Sequence, residues 1–126
     1  MIRGLGIDSI EIARVRRVHG EYNPRFVERI LTPAEREYVE RYADPVPRIA
    51  GRFAVKEACM KALGTGWGAG VRWRDIEVRR HASGKPVVEL HGRAKEICAA
   101  LGGTHVHCTI THTDETAMAV VVIEGV

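Results

Sequence analysis

The side chains best placed for chemistry are a carboxylate and an ammonium group four residues apart, at Glu57 and Lys61. In a helix this spacing puts both groups on one face, together with the ring of Phe53. The simplest interpretation is an exposed ion pair, which stabilises a helix by about 0.3–0.5 kcal/mol. The alternative is a metal ligand beside a phosphate-binding cation, because the glycines of residues 64–66 leave room for a ligand near the backbone.

A second acidic residue, Asp8, favours the metal interpretation. It follows a predicted strand over residues 2–7, where Asp8 or Ser9 could also simply cap the next helix. Two carboxylates are what magnesium takes from a protein when its other ligands are water and substrate phosphates. Lys61 would then neutralise charge on the same phosphates. Together with Glu57, these residues suggest phosphoryl-type transfer.

The histidines offer a competing metal chemistry. His105 and His107 share one face of a predicted strand, and Cys98 or Cys59 could join them around zinc. No second closely spaced pair of ligands completes such a site, so we do not expect zinc. His112 ends the same strand at a polar turn, where it is either a solvated turn residue or part of a functional site.

The helix that carries Glu57 and Lys61 is the element around which the chain is predicted to assemble. Strong helix formers fill residues 53–63 without a proline or a glycine. Gly64 then supplies the left-handed conformation that closes a helix. Another face carries alanines spaced four residues apart, a smooth strip that a second backbone can approach: Ala50, Ala54, Ala58 and Ala62.

The remaining elements predict an α+β fold. Gly4 and Gly6 in the first strand indicate a close approach by another backbone. Residues 32–35 have the cap, proline and acid of a helix start. We expect a hairpin over residues 75–90, helices over 10–18, 24–31, 33–42 and 93–101, a loop over 44–47, and strands over 104–111 and 117–123.

Composition bounds the class of protein. A chain of 126 residues is expected to form one domain, residues 1–126, with a core small enough to gain from neighbouring subunits. No apolar run approaches the roughly 20 residues of a membrane span, and the N-terminus does not resemble a signal peptide. Three cysteines without CxxC spacing favour reduced thiols. We therefore expect a cytoplasmic protein that does not act at a membrane.

Several motifs occur in order along nearly the whole chain. They are Gly4-Leu-Gly-Ile-Asp-Ser-Ile-Glu-Ile-Ala-Arg14, Phe26-Val-Glu-Arg-Ile-Leu-Thr32 with Glu35, Gly51-Arg-Phe-Ala-Val-Lys-Glu-Ala58 continued by Lys61-Ala-Leu-Gly-Thr-Gly66, Asp75-Ile-Glu-Val78 with Gly84-Lys-Pro86, and Thr109-Ile-Thr-His-Thr113. In this combination the chain resembles holo-acyl-carrier-protein synthase, the small trimeric class of 4′-phosphopantetheinyl transferases. The resemblance implies a fold in which a mainly antiparallel sheet packs on a long central helix.

The same resemblance implies an activity and a set of site residues. The activity is transfer of the phosphopantetheine arm of coenzyme A to a serine of an acyl carrier protein, which serves fatty acid biosynthesis. The products are holo carrier and adenosine 3′,5′-bisphosphate. Asp8 and Glu57 match the magnesium ligands, and Lys61 matches the pyrophosphate-binding lysine. Glu57, His112 and a metal-bound water are all open as the base. Segments that line the coenzyme A site contain Arg52, Gly64, Thr65, Gly66 and His112.

The resemblance also implies partners. The family forms a three-fold ring with each active site between neighbouring subunits. One subunit would supply Asp8, and another would supply either the Glu57 helix or the His112 strand. Arginines that meet the carrier match Arg14, Arg25 and Arg29. Two departures are visible: Trp67 stands where an aliphatic residue is usual, and threonines at 109 and 111 stand where many relatives have serines.

Two other functions compete with this interpretation. A net charge of +3 is compatible with a non-catalytic module that binds acidic protein or RNA. Such a module offers no reason for two acids to flank a phosphate-binding loop, so we expect no nucleic-acid partner. The second alternative is magnesium-dependent hydrolysis of a phosphodiester, in which water replaces the serine.

Overall fold

The computed structural model describes residues 1–126 as five strands, five α-helices and one turn of 3-10 helix. The strands are β1 (Ile2–Glu11), β2 (Ile76–Arg80), β3 (Pro86–Leu90), β4 (Gly103–His112) and β5 (Thr116–Gly125). The helices are α1 (Ile12–Tyr22), α2 (Arg25–Ile30), α3 (Pro33–Glu40), α4 (Val46–Leu63) and α5 (Gly92–Ala100), and the 3-10 turn is Trp73–Asp75. An antiparallel sheet in the order β1-β5-β4 and the hairpin β2-β3 confirm the α+β prediction.

The central helix α4 is longer than the run of helix-forming residues, 53–63, that predicted it. It begins at Val46 and includes Pro47 in its first turn, so the prediction of a loop over residues 44–47 was wrong at its second half. Proline is tolerated there because the first amides of a helix have no partner within the helix. The helix ends as predicted, with Gly64 in the left-handed region at φ 77°. No helix in the chain is both long and apolar enough to cross a membrane.

The alanine strip of α4 packs directly on β1, which confirms the close backbone approach predicted at each element and identifies each as the partner of the other. Ala50, Ala54 and Ala58 have no exposed surface. A Cβ atom at Gly6 would overlap the carbonyl oxygen of Ala58, and one at Gly4 would overlap that of Ala62. These two glycines therefore let the strand lie against the helix backbone.

The first strand continues past its predicted end. Asp8 pairs with Ala119 inside the sheet, and pairing extends to Glu11 opposite Thr116. The prediction that Asp8 ends the strand and caps a helix was therefore wrong, because the ladder with β5 continues through it. Helix α1 begins only at Ile12, and it runs through Gly20 to Tyr22 rather than ending near Val18.

Local motifs placed α3 and the hairpin as predicted. The Thr32 hydroxyl accepts from the Glu35 amide at 3.3 Å, and Glu35 Oε1 accepts from the Thr32 amide at 2.9 Å. This reciprocal pair is a capping box. In the hairpin, Val78 lies opposite Val88. Helix α3 ends at Glu40, two residues before the predicted end.

The three-stranded sheet has one covered face and one open face, which is apolar where β1 pairs with β5. Ala117, Val121 and Ile123 of β5 are buried on the α4 side. On the opposite side Leu5 lies across from Val122, and Ile7 lies across from Val120. The side chains of Leu5 and Ile7 are 65% and 55% exposed, so this face is free to contact another protein surface.

Candidate active site

Asp8 and Lys61 meet although 53 positions separate them in the chain. Lys61 Nζ donates to Asp8 Oδ1 at 3.1 Å and to the carbonyl oxygen of Ile7 at 2.9 Å. The ion pair of Lys61 is thus with β1, and the simple i,i+4 pair with Glu57 does not form. The close approach of β1 and α4 brings the acid of one element to the lysine of the other.

Glu57 completes this cluster beside Asp8. Burial raises the pKa of Glu57, and the neighbouring Asp8 carboxylate raises it further, while Lys61 and Arg14 lower it only in part. A raised pKa means that the ionised form of Glu57 lacks full compensation. The Asp8 carboxylate, which pairs with Lys61, and the incompletely compensated Glu57 carboxylate form a suitable donor set for a hard divalent cation.

The cluster lies in a cavity of about 590 Å³. Part of its wall is aromatic: Phe53 stacks on Trp73 with ring centroids 5.0 Å apart, and Trp67 meets Trp73 edge-on at 4.9 Å. Apolar side chains of α1 and α2 line the rest, together with Arg14 and Arg29. The cavity therefore offers acids and a lysine at one side and an apolar surface at the other.

The glycine loop leaves α4 beside this cavity. Gly64 and Gly66 both have positive φ, at 77° and 53°, and Thr65 Oγ1 donates to the carbonyl of Gly66. None of these three residues lines the cavity itself. The exposed Trp67 that follows does line it, so the residue that departs from the family pattern is part of the cavity wall.

Arg52 and His112 lie in a different cavity, of about 300 Å³. Arg52 is 5% exposed, and its Nε has no hydrogen-bond partner. Its guanidinium lies over the ring of Tyr38, 4.1 Å from the centroid. Arg48 and Arg80 line the same cavity. A buried cation with an unpaired donor among further arginines is a suitable anion site.

The predicted site residues are thus divided between two cavities of one chain. Asp8, Glu57 and Lys61 line the first, whereas Arg52 and His112 line the second. Which of these residues would come from one subunit and which from its neighbour stays a prediction.

Known proteins share this fold and sequence. The family model described as the 4′-phosphopantetheinyl transferase superfamily matches residues 4–121. The holo-acyl-carrier-protein synthase of Solibacter usitatus (strain Ellin6076) is 48% identical over 125 residues, which cover 99% of this chain and 100% of that protein. The chain belongs to the holo-acyl-carrier-protein synthase family.

Solved structures agree with this membership. The holo-acyl-carrier-protein synthase of Neisseria meningitidis is 34% identical and aligns with a TM-score of 0.90 over 98% of this chain and 99% of its own. The enzyme of Bacillus anthracis str. Ames, in complex with CoA (3′,5′-ADP), is 39% identical with a TM-score of 0.84 over 100% and 99% of the two chains. The predicted family, its fold and the transferase class are confirmed.

In this holo-acyl-carrier-protein synthase family member, the arginines predicted to meet a carrier are all exposed. Arg14 of α1 and Arg29 of α2 line the first cavity. Arg25 lies one helical turn before Arg29, outside the cavity lining. A basic surface therefore extends from the acid–lysine cluster onto α1 and α2.

The sequence missed several residues of the two cavities. Trp73 lies outside the motif that holds Glu57, and only the three-dimensional fold brings it onto Phe53. Arg48 was missed as well, although a signal existed, since Arg48 and Arg52 are four apart on one helix. Tyr38 joins them from α3 and stacks under Arg52.

A third group of ligand-type residues was not predicted. Single ligand atoms of Glu77, Glu89 and His91 lie within 4.8 Å of one another. Arg79 Nε already lies 3.1 Å from Glu77 Oε1 and 2.7 Å from Glu89 Oε2. Because this guanidinium bridges the two carboxylates and His91 Nε2 lies 3.1 Å from Glu77 Oε1, the group forms an ion-pair network of the hairpin.

Proposed function

We propose that this chain transfers the 4′-phosphopantetheine group of coenzyme A to a serine of an apo acyl carrier protein in a magnesium-dependent reaction. The observation that carries the proposal is the cluster of Asp8, Glu57 and Lys61 at one side of a cavity. Family membership and the coenzyme A complex of the Bacillus anthracis relative support the choice of donor. The products are holo carrier and adenosine 3′,5′-bisphosphate, and the reaction serves fatty acid biosynthesis in the cytoplasm.

In the proposed step, the serine oxygen forms a bond to the β-phosphorus of coenzyme A. The bond from that phosphorus to the bridging oxygen breaks, and this oxygen leaves with adenosine 3′,5′-bisphosphate. The serine proton passes to a base of the site, for which Glu57 and His112 are the side-chain candidates. Lys61 donates hydrogen bonds to the pyrophosphate oxygens, where positioning and charge stabilisation account for most of the catalysis of phosphoryl transfer.

Asp8 and Glu57 are the residues that hold the metal in this proposal. Magnesium binds proteins through one or two carboxylates and keeps water and substrate phosphates as its other ligands. The raised pKa of Glu57 beside Asp8 is the sign of negative charge that a cation can compensate. When bound, the ion would neutralise charge on the pyrophosphate.

A homotrimer is part of the proposal. The apolar part of the open sheet face, with Leu5 and Ile7 of β1, supports burial against other copies of the chain. The division of the site residues between two cavities supports a head-to-tail ring, in which Arg52 and His112 of one copy complete the site of the next. Arg52 and His112, with the loop of Gly64, Thr65 and Gly66, then bind coenzyme A.

Mass spectrometry of an apo acyl carrier protein incubated with the chain, coenzyme A and magnesium tests the function. A mass gain of one phosphopantetheine group on the carrier supports the proposal. Cleaved coenzyme A with an unmodified carrier would instead identify a phosphodiester hydrolase. No change in either reactant would leave only a binding module.

The raised pKa of Glu57 predicts how magnesium binding depends on pH. A carboxyl with a raised pKa holds its proton more tightly, so protons compete with the metal at a higher pH than for an ordinary glutamate. Below that pKa we expect the affinity for magnesium to fall by about tenfold per pH unit. Calorimetric titration at several pH values measures this fall. A Glu57→Gln control should bind weakly without a step in this window, and a wild-type affinity that stays flat contradicts the prediction.

Charge reversal on α1 and α2 should impair use of the carrier. Acyl carrier proteins are acidic around the modified serine. Each of the variants Arg14→Glu, Arg25→Glu and Arg29→Glu therefore places a negative charge against the acidic side chains of the carrier. Such contacts cost several kcal/mol, so we expect the KM for the carrier to rise by about tenfold or more. Steady-state kinetics at two ionic strengths measure this, and the wild-type KM should also rise with salt.

The matched control for these variants is Arg41→Glu, which reverses an exposed charge directly after the end of α3. It should leave the KM for the carrier unchanged, and both Arg41→Glu and Arg25→Glu should keep the KM for coenzyme A. The cleanest comparison is Arg25→Glu, because Arg25 does not line the first cavity. A KM for the carrier that is insensitive to salt places the docking surface elsewhere.

A further inference from the structure

A buried lysine that the proposed reaction does not use lies next to Glu57. Lys56 has no exposed surface, and lysine is almost never fully buried unless it is paired. Its Nζ donates to Glu35 Oε1 at 2.8 Å, to the carbonyl oxygen of Trp73 at 3.1 Å and to the carbonyl oxygen of Ile76. These bonds use all the hydrogens of the ammonium group.

Both oxygens of the Glu35 carboxylate, which pairs with Lys56, accept further hydrogen bonds from backbone amides. Glu35 Oε1 accepts from the Thr32 amide at 2.9 Å, and Oε2 accepts from the Val78 amide at 3.0 Å. Lys56 belongs to α4, Glu35 to α3 and Val78 to β2. One buried ion pair therefore holds α3 and the turn before β2 against the central helix.

The carbonyl held by Lys56 belongs to a residue whose indole forms the wall of the first cavity. Trp73 stacks on Phe53, and Trp67 packs edge-on against Trp73. Phe53 precedes Lys56 by three residues on α4, and Glu57 follows at once. A little more than one helical turn thus presents the aromatic wall, the buried ammonium and the candidate metal ligand.

We propose that Lys56 is a positioning residue, which holds the backbone of Trp73 so that its indole is seated against Phe53 beside Glu57. The kinetic consequence rests on the proposed function, whereas the seating of Trp73 can be measured without any substrate. The competing explanation is a purely structural role. Stability alone gives little reason for a lysine here, because the desolvation of a buried ion pair offsets most of its attraction.

Tryptophan fluorescence tests the seating directly, because the chain has only two tryptophans. Trp67→Phe leaves Trp73, which is 8% exposed, as the sole emitter. In this background Lys56→Met removes the ammonium and keeps the side-chain length. We expect the Trp73 emission to shift to longer wavelength and its quenching by acrylamide to increase. Glu35→Gln should change the emission wavelength and the quenching in the same direction, but less than Lys56→Met does. If circular dichroism shows that Lys56→Met does not fold, Glu35→Gln is used as the test variant instead.

Kinetics then separate positioning from stability in the otherwise native chain. Lys56→Met is expected to lower kcat/KM by about 100-fold, the loss that a misplacement of about 1 Å produces. The control is Val39→Ala, which removes buried volume from the same helix as Glu35 but breaks none of these hydrogen bonds. At an equal loss of melting temperature, Val39→Ala should retain far more activity.

An unchanged Trp73 emission in a folded Lys56→Met or Glu35→Gln chain overturns the proposal. An activity loss that Val39→Ala reproduces at equal melting temperature overturns it as well. A wild-type chain that modifies no carrier rejects the proposed function instead, and the fluorescence result on Trp73 then still stands.

Discussion

Alanine at Asp8 or at Glu57 should lower phosphopantetheine transfer by about 1,000-fold or more while the fold survives. A metal ion contributes several kcal/mol to a charged transition state, and each 1.4 kcal/mol is about tenfold in rate. Both side chains lie at the edge of the core, so their loss leaves the buried cluster intact. Turnover of apo carrier, followed by mass spectrometry at saturating magnesium, measures the loss.

The matched control removes a carboxylate that lies far from the site. Glu37→Ala on α3 takes away an acid with a 76% exposed side chain, and it should keep wild-type turnover. Circular dichroism confirms that each variant is folded. Near-native turnover in a folded Asp8→Ala or Glu57→Ala chain would remove both residues from the proposed metal site.

Two inactive variants should restore each other when they are forced into one trimer. Asp8→Ala damages the first cavity, and Arg52→Met damages the second while keeping most of the side-chain length. If each site combines the first cavity of one copy with the second cavity of the next, every mixed ring contains one site with both cavities intact. Closed head-to-tail symmetry therefore predicts about a third of wild-type turnover.

Co-expression with two affinity tags and tandem purification isolates the mixed rings. Each variant expressed alone should be nearly inactive and should form a trimer in analytical ultracentrifugation. A chain that carries both substitutions serves as a control, because it should not rescue Asp8→Ala. Mixed rings as inactive as the single variants, or a fully active monomer at micromolar concentration, would contradict the shared site.

The sequence predicted the parts of the fold whose causes are local. The end of α4 at Gly64 follows from the conformational freedom of that residue. The capping box of Thr32 and Glu35 likewise depends on only four consecutive residues. The glycines of β1 and the alanines of α4 each predicted a close backbone approach, because both sets lack bulky side chains at the strand or helical spacing, but neither identified its partner.

Features that depend on distant pairing were not predictable in the same way. The end of β1 at Glu11 is set by its ladder with β5, more than 100 positions later. The preference of Lys61 for Asp8 over Glu57 depends on how close β1 lies to α4. The burial of Lys56 could not be predicted either, because its partners, Glu35 and the carbonyl of Trp73, are distant from it in the sequence.

The contact between Gly6 and Ala58 also sets the dimensions of the cluster of Asp8, Glu57 and Lys61. Gly6 and Asp8 are two residues apart in β1 and therefore lie on the same face of the strand. The distance between β1 and α4 therefore determines the distance from the Asp8 carboxylate to Lys61 Nζ. A single methyl group at Gly6 would collide with a backbone carbonyl, which cannot rotate away as a side chain can. The strand would have to lift, and the carboxylate would move with it. Gly6, a residue without a side chain, thus fixes the distance between the Asp8 carboxylate and the Lys61 ammonium group.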